Sequence, residues 1–412
     1  MSVPMETEVL VVGGGPGGSA AAYHLARHGV DVTLVEKAVY PREKVCGDGL
    51  TPRGVAPLLR MGIEPGLEGF ERVVGLRVYT RDRALELRWP EVAGFPDYGL
   101  VMPRAGLDDL LARRARAAGA RLLERTEALG PIVEDHWVVG GRVRPQGGEE
   151  ASIRARFVLA ADGAASRFAR QAGVRRDPSR PLGIAARRYY RAPRRPGPWL
   201  ESWLDLWDGR SLLPGYGWLF AVADGTVNVG AGLLNTFRDF SRISAQHALD
   251  TFVRILPGAW GISEETAVGR TMSGPLPMGM SRRPSAVPGM LVIGDAAGVV
   301  NPFNGEGIAY AMETAEIASE LATEALLRDR PGIAHQYPIV LRERYGRYFR
   351  LGREFVNLIG NPRVMRAAVK YGMPRERLMR FLLKLMANLS DGRQGGMDDR
   401  VIRALERLAP AS

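Results

Sequence analysis

Clustered glycines, acids at the ends of apolar runs and a single thiol are the groups in this 412-residue sequence that are equipped for chemistry. The turn Gly13-Gly14-Gly15-Pro16-Gly17-Gly18 satisfies G-x-G-x-x-G at Gly13, Gly15 and Gly18. The first glycine permits a tight turn, the second lets a pyrophosphate approach the backbone, and the third lets a helix pack closely on a strand. Backbone N–H groups around Pro16 and Gly17 then face phosphate oxygens with the positive end of the helix dipole behind them. Glu36 ends the next apolar strand at the spacing of an acid that accepts hydrogen bonds from adenosine ribose hydroxyls. A carboxylate there disfavours a 2′-phosphate, so FAD or NAD is expected in preference to NADP.

Two later acids occupy similar settings. Asp162 in Ala161-Asp162-Gly163 and Asp295 in Gly294-Asp295-Ala296-Ala297-Gly298 each follow an apolar strand. Further on, Asn301-Pro302-Phe303-Asn304-Gly305-Glu306-Gly307 opens a long helix. With Gly305 and Gly307 against a redox-active ring, that helix N-terminus would stabilise negative charge on the reduced ring. The alternative for these glycines is an ordinary helix-starting turn. Cys46 can serve as a proton donor, as a group that orders one, or as a small buried hydrophobe.

The elements that must position these groups alternate in type. Residues 8 to 36 read as strand, helix and parallel strand, and a second helical pattern follows Pro103 with Leu107, Leu110 and Leu111 on one face. From Leu182 to Leu233 tyrosine, tryptophan and valine become frequent around glycine and proline, which predicts an antiparallel sheet joined by Val73 to Trp89. The α/β signature returns at Met290 to Ile293, followed by a helix from about Gly305 to Leu327. The expected fold class is therefore α/β. A discontinuous Rossmann-like lobe (1–72, 99–180, 270–330) combines with a β-sheet substrate lobe (73–98, 181–269) and a basic helical C-terminal region (331–412).

Composition excludes other classes. Apolar residues at 46% and charged residues at 25% are ordinary for a globular chain. One cysteine rules out a disulfide framework and fits a reducing, cytoplasmic setting. No export signal is visible, and the longest apolar candidate, Met290 to Val300, is short and holds Asp295, so no membrane span is expected. His24, His28, His136, His247 and His335 are scattered without metal-ligand spacing, so no metal site is expected. Of the net charge of +11, the stretch from Leu341 onward carries +9. Its basic residues are interleaved with leucine, phenylalanine and methionine, a pattern of lipid contact or packing and not of nucleic-acid binding. Within Pro374 to Leu389, Leu378, Phe381, Leu382, Leu385 and Leu389 share one side, with Arg377, Arg380 and Lys384 opposite. Such a helix lies on an anionic bilayer, at the inner face of the cell membrane, or caps the core.

Together with the first glycine turn, the Asp162 and Asp295 segments resemble the three fingerprints of the flavoproteins that include the aromatic hydroxylases. This resemblance implies FAD. It gives Asp295 to the ribityl chain, Asp162 to the cofactor's neighbourhood, and Arg104, in Met102-Pro103-Arg104, to the flavin side; a surface arginine at a helix start is the alternative for Arg104. A narrower resemblance, to the geranylgeranyl reductase family, rests on Tyr40-Pro41-Arg42-Glu43-Lys44-Val45-Cys46-Gly47-Asp48-Gly49, on Tyr216-Gly217-Trp218-Leu219-Phe220 and on Asn301 to Gly307. The family's aromatic motif usually ends in proline, where this chain has Ala221.

What this implies is reduction of isoprenoid double bonds, foremost in the tail of menaquinone, with a geranylgeranyl lipid or diphosphate as the nearest alternative. Cys46 would assist at the flavin, and Tyr216, Trp218 and Phe220 would line the isoprenoid tunnel or pack as ordinary core. Electrons would come from NAD(P)H or from a ferredoxin-like carrier docking on the basic surface. The rival chemistry on this fold is an FAD-dependent aromatic monooxygenase. Halogenation is disfavoured because the sequence has only Lys37, Lys44, Lys370 and Lys384 to supply a lysine, and the first two are expected near the adenosine end.

Overall fold

A computed structural model describes residues 5–409 apart from 65, 67, 68, 82, 194, 195, 210, 214, 238, 239 and 391–394. Met1 to Pro4, the first residues of the stretch searched for an export signal, therefore lie outside the described residues. Two large sheets frame the described residues.

The first sheet places Glu6–Val12 at its centre, paired in parallel with Val32–Val35 on one side and Ala151–Ala160 on the other. Arg121–Leu123 and Met290–Val292 extend it in parallel, so segments far apart in sequence complete one layer. Val9, Leu10, Val11 and Val12 are all buried, as expected for a central parallel strand covered on both faces. Helix Pro16–Arg27 packs against both Arg104–Ala117 and Ile308–Leu327 along this sheet. The apolar face of Ile308–Leu327 is almost continuous, since it runs through the interior.

The second sheet has seven strands in the order Ala267–Pro277, Leu182–Arg191, Thr226–Leu234, Gly215–Ala221, Leu200–Trp203, Gly75–Thr80 and Arg83–Arg88. Neighbours are antiparallel except Leu200–Trp203 with Gly75–Thr80, which run parallel. Helix Ala245–Ile255 covers one face, where Leu219, Val229 and Phe252 form a separate core. Strand alternation puts Tyr216, Trp218 and Phe220 together on the other face, which looks toward the first sheet.

After Pro331 the chain is helical: Tyr337–Ile359, Pro362–Gly372, Glu376–Met386 and Met397–Leu408. In Glu376–Met386 the apolar side turns inward, burying Met379, Leu383 and Leu385, so this helix caps the core. Lys384 is not part of a free basic face, because its ammonium pairs with the buried carboxylate of Asp399 at 2.7 Å. Among the described residues no helix is long and apolar enough to cross a membrane, and no cluster of His, Cys, Asp and Glu could hold a metal ion.

Candidate functional site

A cavity of about 850 Å³ runs between the two sheets, and every site residue expected from the sequence except Gly18 lines it. Its first part is the glycine turn. Gly13 has φ +97° and sits so close to the next strand that a Cβ would come 2.6 Å from the carbonyl oxygen of Ala161. A Cβ on Gly18 would collide with the carbonyl of Gly13, so this third glycine serves helix-to-strand packing behind the cavity wall. Pro16 occupies the first helical turn and no side chain caps it, which leaves the turn's N–H groups free for an anion. Glu36 is buried, its Oε2 accepting from the N–H of Gly14 at 2.8 Å and its Oε1 from the N–H of Ala38 at 2.9 Å. These bonds, with a third from Arg42 Nη2 to Oε2 at 3.3 Å, fix the carboxylate at the end of its strand, on a residue that lines the cavity.

Arg104 is buried and forked onto Asp108, with Nε and Nη2 at 2.7 and 2.8 Å from the two oxygens. Arg42 reaches the same Asp108 at 3.0 Å. Both guanidinium groups come within 4 Å of where a Cβ on Gly15 would stand, so two cations face the glycine turn. Sequence reasoning missed Arg42 and Asp108; the i, i+4 spacing of Arg104 and Asp108 on one helix was the available signal.

The middle of the cavity is acidic and basic by turns. Asp162 accepts from the N–H of Phe168 at 2.8 Å, its other oxygen is buried with no hydrogen-bond partner among the described residues, and burial pushes its carboxyl up to about 6. Asp295 stands 3.1 Å from where a Cβ of Gly307 would lie; burial raises its pKa while Lys44, Arg104 and Arg282 oppose that shift. Lys44 was expected near the adenosine end. Its ammonium instead lies 3.9 Å from a Cβ built on Gly163 and couples electrostatically to Asp295, at the cavity's centre. Gly294, with φ +60°, donates its N–H to Thr314 Oγ1 at 3.1 Å and opens the Asp295 turn.

At the far end the turn before the long helix is cross-braced. Asn301 N–H donates to the Glu306 carbonyl at 2.9 Å, and Gly305, in the left-handed region at φ +78°, donates to the carbonyl of Asn301. Tyr216 donates its hydroxyl to the carbonyl of Asn304 at 2.9 Å; burial pushes this phenol up to about 12, so it remains protonated. Opposite this turn lies Cys46. Its Sγ accepts from the N–H of Asp48 at 3.3 Å, and burial, followed by the Asp48 carboxylate, raises the thiol. Asp48 itself, buried at φ +65°, accepts from the Tyr189 hydroxyl at 2.6 Å and from Asn228 Nδ2 at 2.7 Å. Burial nevertheless pushes its carboxyl up to about 6. Trp218 closes the network by donating Nε1–H to Asn228 Oδ1 at 2.9 Å, and Phe220 packs against Gly49. Asp48, Tyr189 and Asn228 were not singled out from the sequence, since each lies on a different strand or loop.

Beyond Cys46 and the aromatic row the lining turns apolar, with Leu200, Phe355, Met365, Val369, Met379 and Leu382 from the sheet and the C-terminal helices. The cavity thus joins the glycine turn, a polar middle and an apolar extension. FAD fits these residues. The glycine turn with Arg42 and Arg104 would hold its pyrophosphate, Glu36 its adenosine ribose, and Asp295 its ribityl chain. The unpartnered oxygen of Asp162 supplies an acceptor that no protein group meets.

Comparison with known proteins supports FAD as the cofactor. The family described as "FAD binding domain" matches residues 6–206. A menaquinone reductase of Mycobacterium tuberculosis is 36% identical over 94% of this chain and 93% of its own length. A digeranylgeranylglycerophospholipid reductase of Thermoplasma volcanium is 32% identical over 83% of this chain and 85% of its own. Among solved structures, a geranylgeranyl bacteriochlorophyll reductase-like protein of Thermoplasma acidophilum superposes with a TM-score of 0.75 at 25% identity, covering 98% of this chain and 96% of that one. A flavin-dependent brominase superposes with a TM-score of 0.74 at 18% identity and 98% coverage of both chains, a likeness of fold alone.

Proposed function

The chain belongs to the geranylgeranyl reductase family of FAD-dependent oxidoreductases, and from that membership we propose that it saturates isoprenoid C=C bonds, foremost in the tail of a menaquinone. The observation that carries this reading is the apolar extension of the cavity, which begins at Cys46 and the Gly305–Gly307 turn and ends under the C-terminal helices. A prenyl chain has no polar handle, so a wall of methionine, leucine and aromatic side chains is what can hold it. An aromatic monooxygenase would need only a compact pocket at the ring.

Bound FAD supplies the hydride-transfer chemistry. The protein's part is to align and to keep dry. Glu36, Arg42, Arg104 and Asp295 are assigned to fixing the cofactor, and Gly305 and Gly307 to letting the helix-starting turn approach its ring. Tyr216, braced on Asn304, and Trp218, braced on Asn228, form a rigid wall for the alkene. Cys46 is placed at the reacting end with its thiol protonated.

A lipid-borne substrate is met at a bilayer, and the roof of the cavity is suited to that meeting. Helix Pro362–Gly372 covers the apolar extension with Met365, Ala368 and Val369. Arg363, Arg366 and Lys370 on this helix are exposed, and Arg366 and Lys370 also line a recess of about 590 Å³ with Arg81 and Arg83. Leu358, Tyr371 and Leu378 are 59%, 57% and 41% exposed. Apolar side chains among cations suit peripheral contact with an anionic membrane, and we assign the bilayer side to this roof and not to the apolar side of Glu376–Met386. Electrons are assigned to NAD(P)H or a ferredoxin-type carrier.

The test is anaerobic. The holoprotein, reduced by dithionite, is mixed with a menaquinone carrying an unsaturated tail or with geranylgeranyl diphosphate, and flavin reoxidation is followed beside product mass. Reoxidation with gain of two hydrogens in the chain supports the reading and identifies the preferred carrier. Reoxidation by oxygen alone, with an oxygenated product, favours the monooxygenase. Sedimentation with phosphatidylglycerol vesicles but not with phosphatidylcholine vesicles tests the membrane contact.

A further inference from the structure

Glu306 stands between the two glycines of the helix-starting turn and its side chain lines the cavity. Its backbone is pinned, the N–H donating to Asn304 Oδ1 and the carbonyl accepting from Asn301 N–H, both at 2.9 Å. Oε1 accepts the hydroxyl of Thr51 at 2.8 Å, across 255 residues of sequence. Oε2 is buried and has no hydrogen-bond partner among the described residues. Among the described residues no cation pairs with this carboxyl: Arg53, whose charge reaches it, is paired with Glu313 at 2.8 Å, and Tyr345 donates to the same Glu313 at 2.6 Å. A buried carboxyl with one unpartnered oxygen, on a residue that lines the cavity and forms no ion pair among the described residues, is shifted toward the acid, which has an O–H to give.

We propose that Glu306 is the acid that delivers the proton in alkene reduction, with Thr51 as the positioning residue that aims it. The inference rests on the reduction reading above. Saturating one double bond breaks the π bond and forms two C–H bonds. The reduced flavin is the two-electron donor and supplies hydride to one carbon, while Oε2 of Glu306 gives its proton to the other. The flavin ends oxidised and Glu306 ends as carboxylate, to be reprotonated from water.

Two other proton donors at this end are less suited. Tyr216 is pushed up to about 12 and already donates to Asn304, and the Cys46 thiol is raised by burial and by Asp48. Glu306 is pushed up to about 7 by burial, against the Thr51 hydrogen bond and the Arg53 charge and reinforced by Glu313. Tyr310 and Tyr348 also face it, and both stay neutral because burial raises their phenols. A donor poised near the working pH combines an available proton with a favourable transfer. Below about 7 Glu306 holds its proton and above that value the proton is lost, so reoxidation of the flavin by substrate slows as pH rises through about 7.

The experiment uses the reduced holoenzyme and a menaquinone with an unsaturated tail, in single turnovers across pH. Wild type is expected to show that inflection. Glu306→Gln retains bound FAD but reoxidises at least about a hundredfold more slowly, the scale of losing a general acid, and has no inflection. Thr51→Val, which removes a hydrogen bond to the charged form, moves the inflection upward. Infrared difference spectra of the oxidised holoenzyme across the same pH range supply a readout independent of turnover: a protonated-carboxyl band lost on raising pH in wild type and missing from Glu306→Gln. Wild-type rates and an unchanged inflection in Glu306→Gln overturn the assignment and leave prenyl reduction standing. Should Glu306→Gln fail to bind FAD, an unmoved inflection in Thr51→Val or a missing infrared band in wild type overturns it equally. A wild-type enzyme that reduces no prenyl chain removes the reduction reading and this assignment with it.

Discussion

The indole N–H of Trp218 donates to Oδ1 of Asn228 at 2.9 Å, and this bond ties the aromatic wall of the cavity to the loop that carries Cys46. Asn228 is fully buried and uses its amide to reach both Asp48 Oδ2, at 2.7 Å, and the carbonyl of Cys46, at 2.9 Å. Substituting Asn228→Ala therefore leaves the Trp218 N–H unpaired and removes one of the donors to Asp48. The expected cost is about 1–3 kcal/mol per stranded group, read as a lowered chemical-denaturation midpoint. Flavin content should change less than the rate of substrate reduction, because the lesion lies on the substrate side.

Asp48 gives a pH-dependent stability. Its folded-state carboxyl, pushed up to about 6 by burial, exceeds the ordinary aspartate value, so the fold favours the protonated form. The stability linked to that proton is complete below the unfolded value and is lost as pH rises through about 6. Asp48→Asn cannot ionise. Relative to this variant, wild type should lose on the order of 3 kcal/mol between pH about 4 and pH above about 6, from a shift of about two units. Denaturation at several pH values checks it, and parallel curves for the two proteins would contradict it.

Cys46→Ala should keep FAD and the fold, since the thiol accepts one hydrogen bond and makes no ion pair. If the proton comes from Glu306, the inflection near pH about 7 survives in this variant, and the rate falls by less than the ~100-fold that loss of a general acid costs. Product analysis is the sharper measurement, because removing a side chain beside the reacting end should change which double bonds are reached.

The glycine turn offers a paired test. A methyl group on Gly15 meets only Arg104 and Arg42, no closer than 3.7 Å, so Gly15→Ala should fold normally but place its methyl where the pyrophosphate approaches. At least a tenfold loss of FAD affinity, or about 1.4 kcal/mol, is expected in a titration of apoprotein. Gly18→Ala instead forces the helix away from the Gly13 carbonyl, and its main effect should be a lowered thermal midpoint of the apoprotein.

The sequence by itself determined what is local and periodic. The spacing from Gly13 to Glu36 specified a strand, a helix and a second strand ending in an acid, because one βαβ unit contains the whole signal. Alternation in Gly215–Ala221 put Tyr216, Trp218 and Phe220 on one side, since side chains repeat every second residue in any strand. Amphipathic spacing in Glu376–Met386 was legible too, but whether its apolar side met lipid or protein was not. Packing settled that by burying Met379, Leu383 and Leu385. The tertiary structure alone decided the contacts that join distant segments: Thr51 with Glu306, Asp48 with Tyr189 and Asn228, and Arg53 with Glu313. The first and last join the start of helix Pro52–Arg60 to the long helix and the turn before it, and the middle one joins the Cys46 loop to the second sheet. Periodicity reports which face of an element is buried and carries no information about which distant polar group will be waiting there.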